Sequence, residues 1–453
     1  MSTGQQRRPA EHVEAYNSLL EDETLAAASV ERLREDQERR RLNFGDRLLS
    51  ISLRPNLLTR ERYTAAIEAA TSIYGALRAL ERALLQDEEL RRELDLAPEE
   101  ERLALADPGF RSSSPSSRLD SFFADEVRYV EYNAESPAGM AYGDQMTEVF
   151  QRLPVLRAFR RRYRLRTLPT RSRQLSTMLR AFRQWGRREK PVIAIVDWTG
   201  VPTATEFELF REYFQEKGLR TVICAPRDLE LRRGRLYAGR TPVNLVYRRV
   251  LTAELLSRGE EARGLVDAYL SGAACVVNSF RAKLLHKKMS LALLSDDRYQ
   301  HLYTPSQRQA IQRHVPWTRK VAEGATSRHG EAVPDLAGYI AANRERLVLK
   351  PNDEYGGKGV VLGWTVGQEE WERALQEALG QPYVVQEAVE VPREPFPVSM
   401  EKVDLLDLAI DLDPYLFDGR TGGCLTRLSS SALLNVTAGA GSIVPTYLVE
   451  GRA

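Results

Sequence analysis

Apolar residues return at helical spacing through the first hundred positions. Between residues 59 and 87, Ile67, Ala70, Tyr74, Leu77, Leu80 and Leu84 recur every three or four residues. That spacing stacks them on one face of a helix with a charged back. Arg54-Pro55-Asn56 interrupts the pattern just before it, because proline excludes its predecessor from helix. The run Arg111 to Ser117, rich in serine, changes the texture. After it VRYVEY (127–132) reads as a strand, and Ser136-Pro137-Ala138-Gly139 as a turn.

From 191 to 278 strand and helix signals alternate. VIAIV (192–196) is a short apolar run of the kind found in buried parallel strands. Residues 205–217 are helix-like and end at Gly218; strands are predicted at 221–224, 243–247 and 274–277. This rhythm predicts a small, mostly parallel sheet covered by helices. Further on, 284–294 and 337–344 read as helices, and 347–349, 383–385 and 405–410 as strands. The tail 436–445 is rich in glycine and small residues.

Charge changes the picture in one place. The chain has 65 Lys and Arg against 63 Asp and Glu, a net charge of +2, yet residues 152–188 hold thirteen arginines and no acidic residue. Leu153, Val155, Leu156, Phe159, Leu165, Leu168, Leu175, Leu179, Phe182 and Trp185 are interleaved with them. Amphipathic helices with a basic solvent face account for that pattern; a nucleic-acid patch is the remote alternative. With 43% hydrophobic and 28% charged residues a disordered chain is excluded. Three distant cysteines, Cys224, Cys275 and Cys424, exclude a disulfide framework and a zinc ribbon. Neither a bilayer-spanning run nor a secretion signal is present, so a cytoplasmic protein without membrane association is expected.

The common catalytic motifs are absent. The glycine loop after 347–349 does not fit G-x-x-x-x-G-K-[ST], because Gly359 follows Lys358. No H-E-x-x-H, G-x-S-x-G or H-R-D occurs, no G-x-G-x-x-G follows the first parallel strand, and the five histidines lack ligand spacing.

Three constellations remain. Lys350-Pro-Asn-Asp-Glu-Tyr-Gly-Gly-Lys-Gly359 places a lysine at a strand end before a flexible loop. Gly356, Gly357 and Gly359 leave backbone N–H groups free to close over phosphate oxygens, Lys358 adds a second cation, and Glu354 is placed to reach a phosphate-bound Mg²⁺. An ordinary turn with a surface lysine is the alternative. In the second, Glu131 and Asn133 share a strand face and Asp120 adds a third oxygen from a neighbouring strand, a donor set suited to Mg²⁺. Arg118 adds a planar cation for a phosphoryl oxygen; a polar strand edge with a surface ion pair is the alternative. The third is Arg427 with Asn435 and the loop 437–442, where the arginine clamps a carboxylate or is structural.

The series R-x-D, then E-x-N, then a distant K-P-N-D-E-x-G-G-K-G resembles the circularly permuted ATP-grasp superfamily. It looks like the group of eukaryotic-type glutathione synthetase and glutathionylspermidine synthetase. In ordinary members the magnesium pair follows the phosphate lysine, whereas here Glu131 and Asn133 precede Lys350. Glu135-Ser-Pro-Ala-Gly139, Asn278-Ser-Phe280, His286-Lys-Lys288, His314-Val-Pro-Trp-Thr-Arg319 and Asp418-Gly-Arg420 agree, so the likeness spans about 110–447. It implies an α/β (α+β) fold: a helical region at 1–107, the first part of the ATP-grasp core at 108–190, a Rossmann-like substrate subdomain at 191–278, and the nucleotide-binding part with its lid at 279–453.

The resemblance also implies roles. Lys350 and one of Lys287 or Lys288, with Lys288 favoured, hold ATP phosphates under the lid Gly356, Gly357, Lys358, Gly359. Asp120, Glu131, Asn133 and Glu354 bind Mg²⁺, and Arg118 contacts the transferring phosphate. Gln386 and Glu387 meet adenine, Asp413 lies near the ribose, and Arg427 grips a substrate carboxylate. The run Leu428-Ser429-Ser430 departs from the glutathione synthetase pattern, which points away from γ-glutamylcysteine. The implied reaction joins a small-molecule or peptide carboxylate to an amine or thiol through an acyl phosphate, using ATP and Mg²⁺. The alternative is an ATP-binding module that serves a pathway as a partner subunit.

Overall fold

The computed structural model describes residues 10–431 and 441–452. The long helix expected near the N-terminus runs Arg60–Gln86, and the Thr59 hydroxyl caps it by accepting the Arg62 N–H at 3.3 Å. Its buried stripe is Tyr63, Ala66, Ala70, Ile73, Leu77, Leu80 and Leu84, while Ile67 and Tyr74 lie at the half-buried margin. The many alanines let neighbouring elements approach closely; the Tyr129 hydroxyl donates to Ala66 O across 2.7 Å.

Tyr129 belongs to a four-stranded antiparallel sheet that orders Arg420–Leu425, Asp413–Phe417, Ser116–Phe123 and Val127–Asn133. The register pairs Arg118 with Asn133 and Asp120 with Glu131. Strand alternation puts Arg118 and Asp120 on one face, and Glu131 and Asn133 on the same face beside them.

The parallel sheet forms as the alternating signals predict. Its order is Cys275–Val277, Leu245–Arg248, Ile193–Val196, Thr221–Cys224, and every pair is parallel. All four side chains of Ile193–Val196 are buried, and the helix Ala204–Glu216 packs on the sheet. The predicted strand 243–247 is two strands. Thr241–Val243 closes an antiparallel excursion with Leu229–Arg232 and Arg235–Ala238, and Leu245–Arg248 enters the parallel sheet. Asn244 is the joint: its side-chain oxygen accepts the Val192 N–H at 2.9 Å.

A second antiparallel sheet carries Lys350, in the order Thr318–Lys320, Tyr383–Glu387, Leu347–Pro351, Val361–Leu362. The helix Gln368–Gly380 covers it with the fully buried Trp371. The helix expected over 284–294 is broken into Lys283–His286 and Met289–Ser295, because Lys287 is extended with ψ 136. Asn352 compensates: its carbonyl accepts the Lys288 N–H at 2.9 Å and its side-chain oxygen accepts the Met289 N–H at 3.0 Å.

The arginine-rich stretch forms Pro154–Phe159, the strand Tyr163–Arg166 and Arg171–Gln184. Val155, Leu156, Phe159, Leu175 and Phe182 are buried, while Arg157, Arg160, Arg161, Arg162, Arg164 and Arg166 are exposed, as an amphipathic basic face requires. Among the described residues no helix is long and apolar enough to cross a membrane.

Asn278 ties these parts together. Its buried amide donates to Ser116 O, Ala134 O and Glu135 O at 2.7, 2.8 and 2.9 Å and accepts the Ser116 N–H at 3.2 Å. The parallel sheet is thereby bonded to both flanks of the Arg118 and Glu131 strands. Asn278→Ala leaves several buried backbone groups unsatisfied and is expected to cost about 3 kcal/mol of stability. A denaturant titration measures it; a midpoint unchanged from wild type would contradict this role.

Candidate active site

A cavity of about 440 Å³ lies where the Arg118 sheet, the Lys350 sheet and the parallel sheet meet. Arg118, Asp120, Glu131 and Asn133 line it from one side, and Lys288, Lys350, Gln386 and Glu387 from another. Gly356, Gly357 and Glu354 lie at its wall, as do Asp413 and Arg427. The two distant segments touch directly: the Lys350 ammonium donates to Val130 O at 3.3 Å across 220 positions of sequence.

Lys350 donates to the Gln386 side-chain oxygen at 2.6 Å. Gln386 is oriented for this by its own amide, which donates to the Thr318 hydroxyl at 3.0 Å. Burial pulls the Lys350 pKa down to about 8, with Glu131 opposing the shift. Lys288 donates to Glu354 O at 2.6 Å and lies 3.3 Å from the Glu131 carboxylate. Lys287 turns the other way, to Asp95 O and Glu100 at 2.8 Å each, and does not line the cavity. The break in the helix aims consecutive lysines at different partners.

On the opposite side, Arg118 grips both oxygens of Asp120 at 2.7 and 3.0 Å, and the Asn133 amide donates to Asp120 at 2.8 Å. Arg427 reaches Asp120 and Asp413 at 2.9 Å each and Asp411 at 2.5 Å. Burial alone would raise the Asp120 pKa, but Arg118 and Arg427 outweigh it and hold it at about 2. Asp413 is pushed well above the usual carboxylate range, by burial first and then by Asp120 and Asp411. Asp413, expected near a ribose, is fully buried in this cluster and accepts the Ser121 N–H at 2.9 Å. Asp411 was not anticipated; its spacing two residues from Asp413 on an extended run was the available signal.

The glycine loop reaches over the cavity. Gly356, Gly357 and Gly359 all have positive φ, and a Cβ on Gly359 would stand 2.6 Å from Pro351. Lys358 and Gly359 do not line the cavity; Lys358 is exposed and pairs with the Glu354 carboxylate at 2.9 Å. Glu354 presents its backbone carbonyl to Lys288 and its side chain to Lys358. Glu387 pairs with Arg328 and lies 3.3 Å from His329. Asn435 and the loop from Thr437 lie outside the described residues, except Gly441 and Ser442.

The oxygens that face the cavity fit a hard divalent cation. The Glu131 side chain is 24% exposed there with Lys288 as its ion-pair partner, and Asn133 and Asp120 stand beside it. Among the described residues no three His, Cys, Asp or Glu side chains form a metal-binding group.

Glu131 and Asn133, which precede Lys350 in the chain, share one cavity with it. The family described as circularly permuted ATP-grasp type 2 matches residues 61–429, and the chain belongs to it. Membership brings ATP use and supports an ATP-dependent ligase in general terms. Among solved structures, a glutathione synthetase-like effector from Globodera pallida in its apo form shares the fold. The TM-score is 0.58 at 12% identity, covering 94% of this chain and 97% of the other. A protein from Methylobacillus flagellatus named as a gamma-glutamylcysteine synthetase is more distant. Its TM-score is 0.41 at 12% identity, over 79% of this chain and 83% of that one. No curated protein matches the chain.

The Lys350 shift gives a test. If the Lys350 ammonium meets phosphate, ATP affinity is expected to be full below pH about 8 and to decline as pH rises through that value. The limiting decline is about tenfold per pH unit. Calorimetric titration on either side of that value checks it, and a flat profile would separate Lys350 from the phosphates.

Proposed function

We propose that the protein is a Mg²⁺-dependent ligase that joins a carboxylate to an amine, or to a thiol, through an acyl phosphate. The observation that carries this reading is the contact between the Glu131 strand and Lys350, which brings an acidic wall and a cationic wall to one cavity. Glu131, Asn133 and Asp120 are the residues that would hold the metal. Bound there, Mg²⁺ would supply neutralisation of the negative charge on the phosphates.

The chain's own residues account for the rest. Lys350 and Lys288 approach the phosphates from the sheet side, and Gln386 holds the Lys350 ammonium in place. A substrate carboxylate oxygen attacks the γ-phosphorus of ATP; the bond to the bridging oxygen breaks and ADP leaves. Arg118, fixed on Asp120, faces the charge that moves with the phosphoryl group. Arg427 stands at the same wall to orient the carboxylate. The nucleophile's lone pair then forms the new bond to the acyl carbon; phosphate leaves with the former bond pair, and the amine or thiol proton passes to solvent or phosphate. The glycine loop excludes water that would hydrolyse the acyl phosphate. No side-chain nucleophile is required, in keeping with the absence of a triad.

The second reading, nucleotide binding without ligation, draws on the ion pairs that already engage Arg118 and Asp120. Measuring ADP release with a panel of carboxylates and amines separates the two. The ligase reading expects ADP only when an acid is supplied, with turnover completed by an amine or thiol. A protein that binds ATP and releases none with any pair would support the second. Lys350→Ala and Glu131→Ala are each expected to reduce turnover by more than about a thousandfold. A folded variant with wild-type turnover would remove that residue from the site.

A further inference from the structure

Behind the glycine loop lies a second charged cluster that the reading above does not use. Lys283 is fully buried, and its ammonium stands 2.6 Å from Asp353, 3.3 Å from Glu100 and 3.5 Å from Glu135. Lys287 lies 2.8 Å from Glu100, and Arg248 lies 3.1 Å from the same Glu135, which also accepts from the Thr252 hydroxyl. Three cations thus face three carboxylates. His286, 3.8 Å from Glu135, has its pKa lowered chiefly by burial, so it stays neutral and the balance holds. A buried cluster of this kind is tolerated only when its charges are matched and bonded.

The participants come from parts of the chain that the proposed chemistry must hold in register. Glu135 follows Asn133 by two residues, Asp353 immediately precedes Glu354, and Arg248 ends a strand of the parallel sheet. The loop after Asp353 has three glycines with positive φ, a segment with much conformational freedom to lose. Its tip has a second mooring: the Tyr355 hydroxyl donates to Glu254, beside the parallel sheet, at 2.8 Å.

We propose that Lys283 and Asp353 are a positioning pair, whose ion pair fixes the root of the glycine loop against the strand that carries Glu131 and Asn133. This rests on the nucleotide reading of the cavity. Neither residue touches the nucleotide; they act through the loop backbone, whose N–H groups are useful to phosphate only if the root is held. Fixing the root in advance lowers the ordering cost at binding.

Lys283→Met leaves three carboxylates one cation short and endangers folding, so the informative variant is Asp353→Asn. Its side chain is 23% exposed, and the change removes one charge at the cluster's edge. The probe is the imido analogue of ATP with Mg²⁺, titrated calorimetrically into the full-length protein, with hydrogen exchange read over 354–360. Asp353→Asn is expected to bind about tenfold more weakly, with faster loop exchange, in a protein whose melting midpoint falls but which stays folded at the titration temperature. In turnover assays KM for ATP rises more than kcat falls, and Asp353→Glu restores most of the affinity. Equal affinity and equal loop exchange in wild type and Asp353→Asn would overturn the positioning role while leaving the nucleotide reading intact. A wild-type protein that binds no analogue would overturn both.

Discussion

A half-buried ammonium group with no carboxylate in ion-pair range among the described residues is the constraint around which the site is organised. Among the described residues, Lys350 has only neutral oxygens within hydrogen-bond reach, those of Gln386 and Val130. Removing a cation from water at such a position is costly, and the drop of its pKa to about 8 expresses that cost. A polyanionic ligand relieves it. The elements around Lys350 follow from this need: Thr318 orients Gln386, Gln386 holds the ammonium, and the Glu131 strand approaches closely enough to offer both a carbonyl and, further off, a compensating negative charge.

The two charge clusters that flank the cavity answer different demands. The Arg118, Asp120, Arg427 cluster opens onto the cavity and holds three carboxylates against two guanidinium groups, with Asp413 as the group driven toward its neutral form. The Lys283 cluster sets three cations against three carboxylates behind the glycine loop, with Asp353 at its edge.

The parallel sheet contributes a frame on the third side. Arg249, just past the end of one of its strands, pairs with the buried Glu206 at 3.1 Å and donates to Pro137 O at 3.0 Å. Glu206 in turn accepts the N–H groups of Gly139 and Ala141 at 2.8 and 3.1 Å. The turn read from Ser136-Pro137-Ala138-Gly139 is therefore held between this sheet and Arg118, which donates to Ala138 O at 3.0 Å. It is a shelf of the cavity, a role that its turn chemistry did not disclose.

Local pattern determined much. Short apolar runs placed the parallel strands and three-to-four spacing the helix Arg60–Gln86, because such patterns act through neighbours in sequence; the order of Glu131, Asn133 and Lys350 with the glycine loop pointed to the permuted family. Only the tertiary structure decided which charges pair. That Lys288 and not Lys287 enters the cavity depends on Asn352, more than sixty positions away, which caps the broken helix. That Asp411 and Asp413 bond Arg427 depends on the pairing of the strand Val403–Ile410 with Arg427–Ser429, and that Asp353 meets Lys283 depends on the fold bringing together residues seventy positions apart. Strong electrostatic pairing requires proximity in space and low dielectric, and neither is a property of sequence spacing.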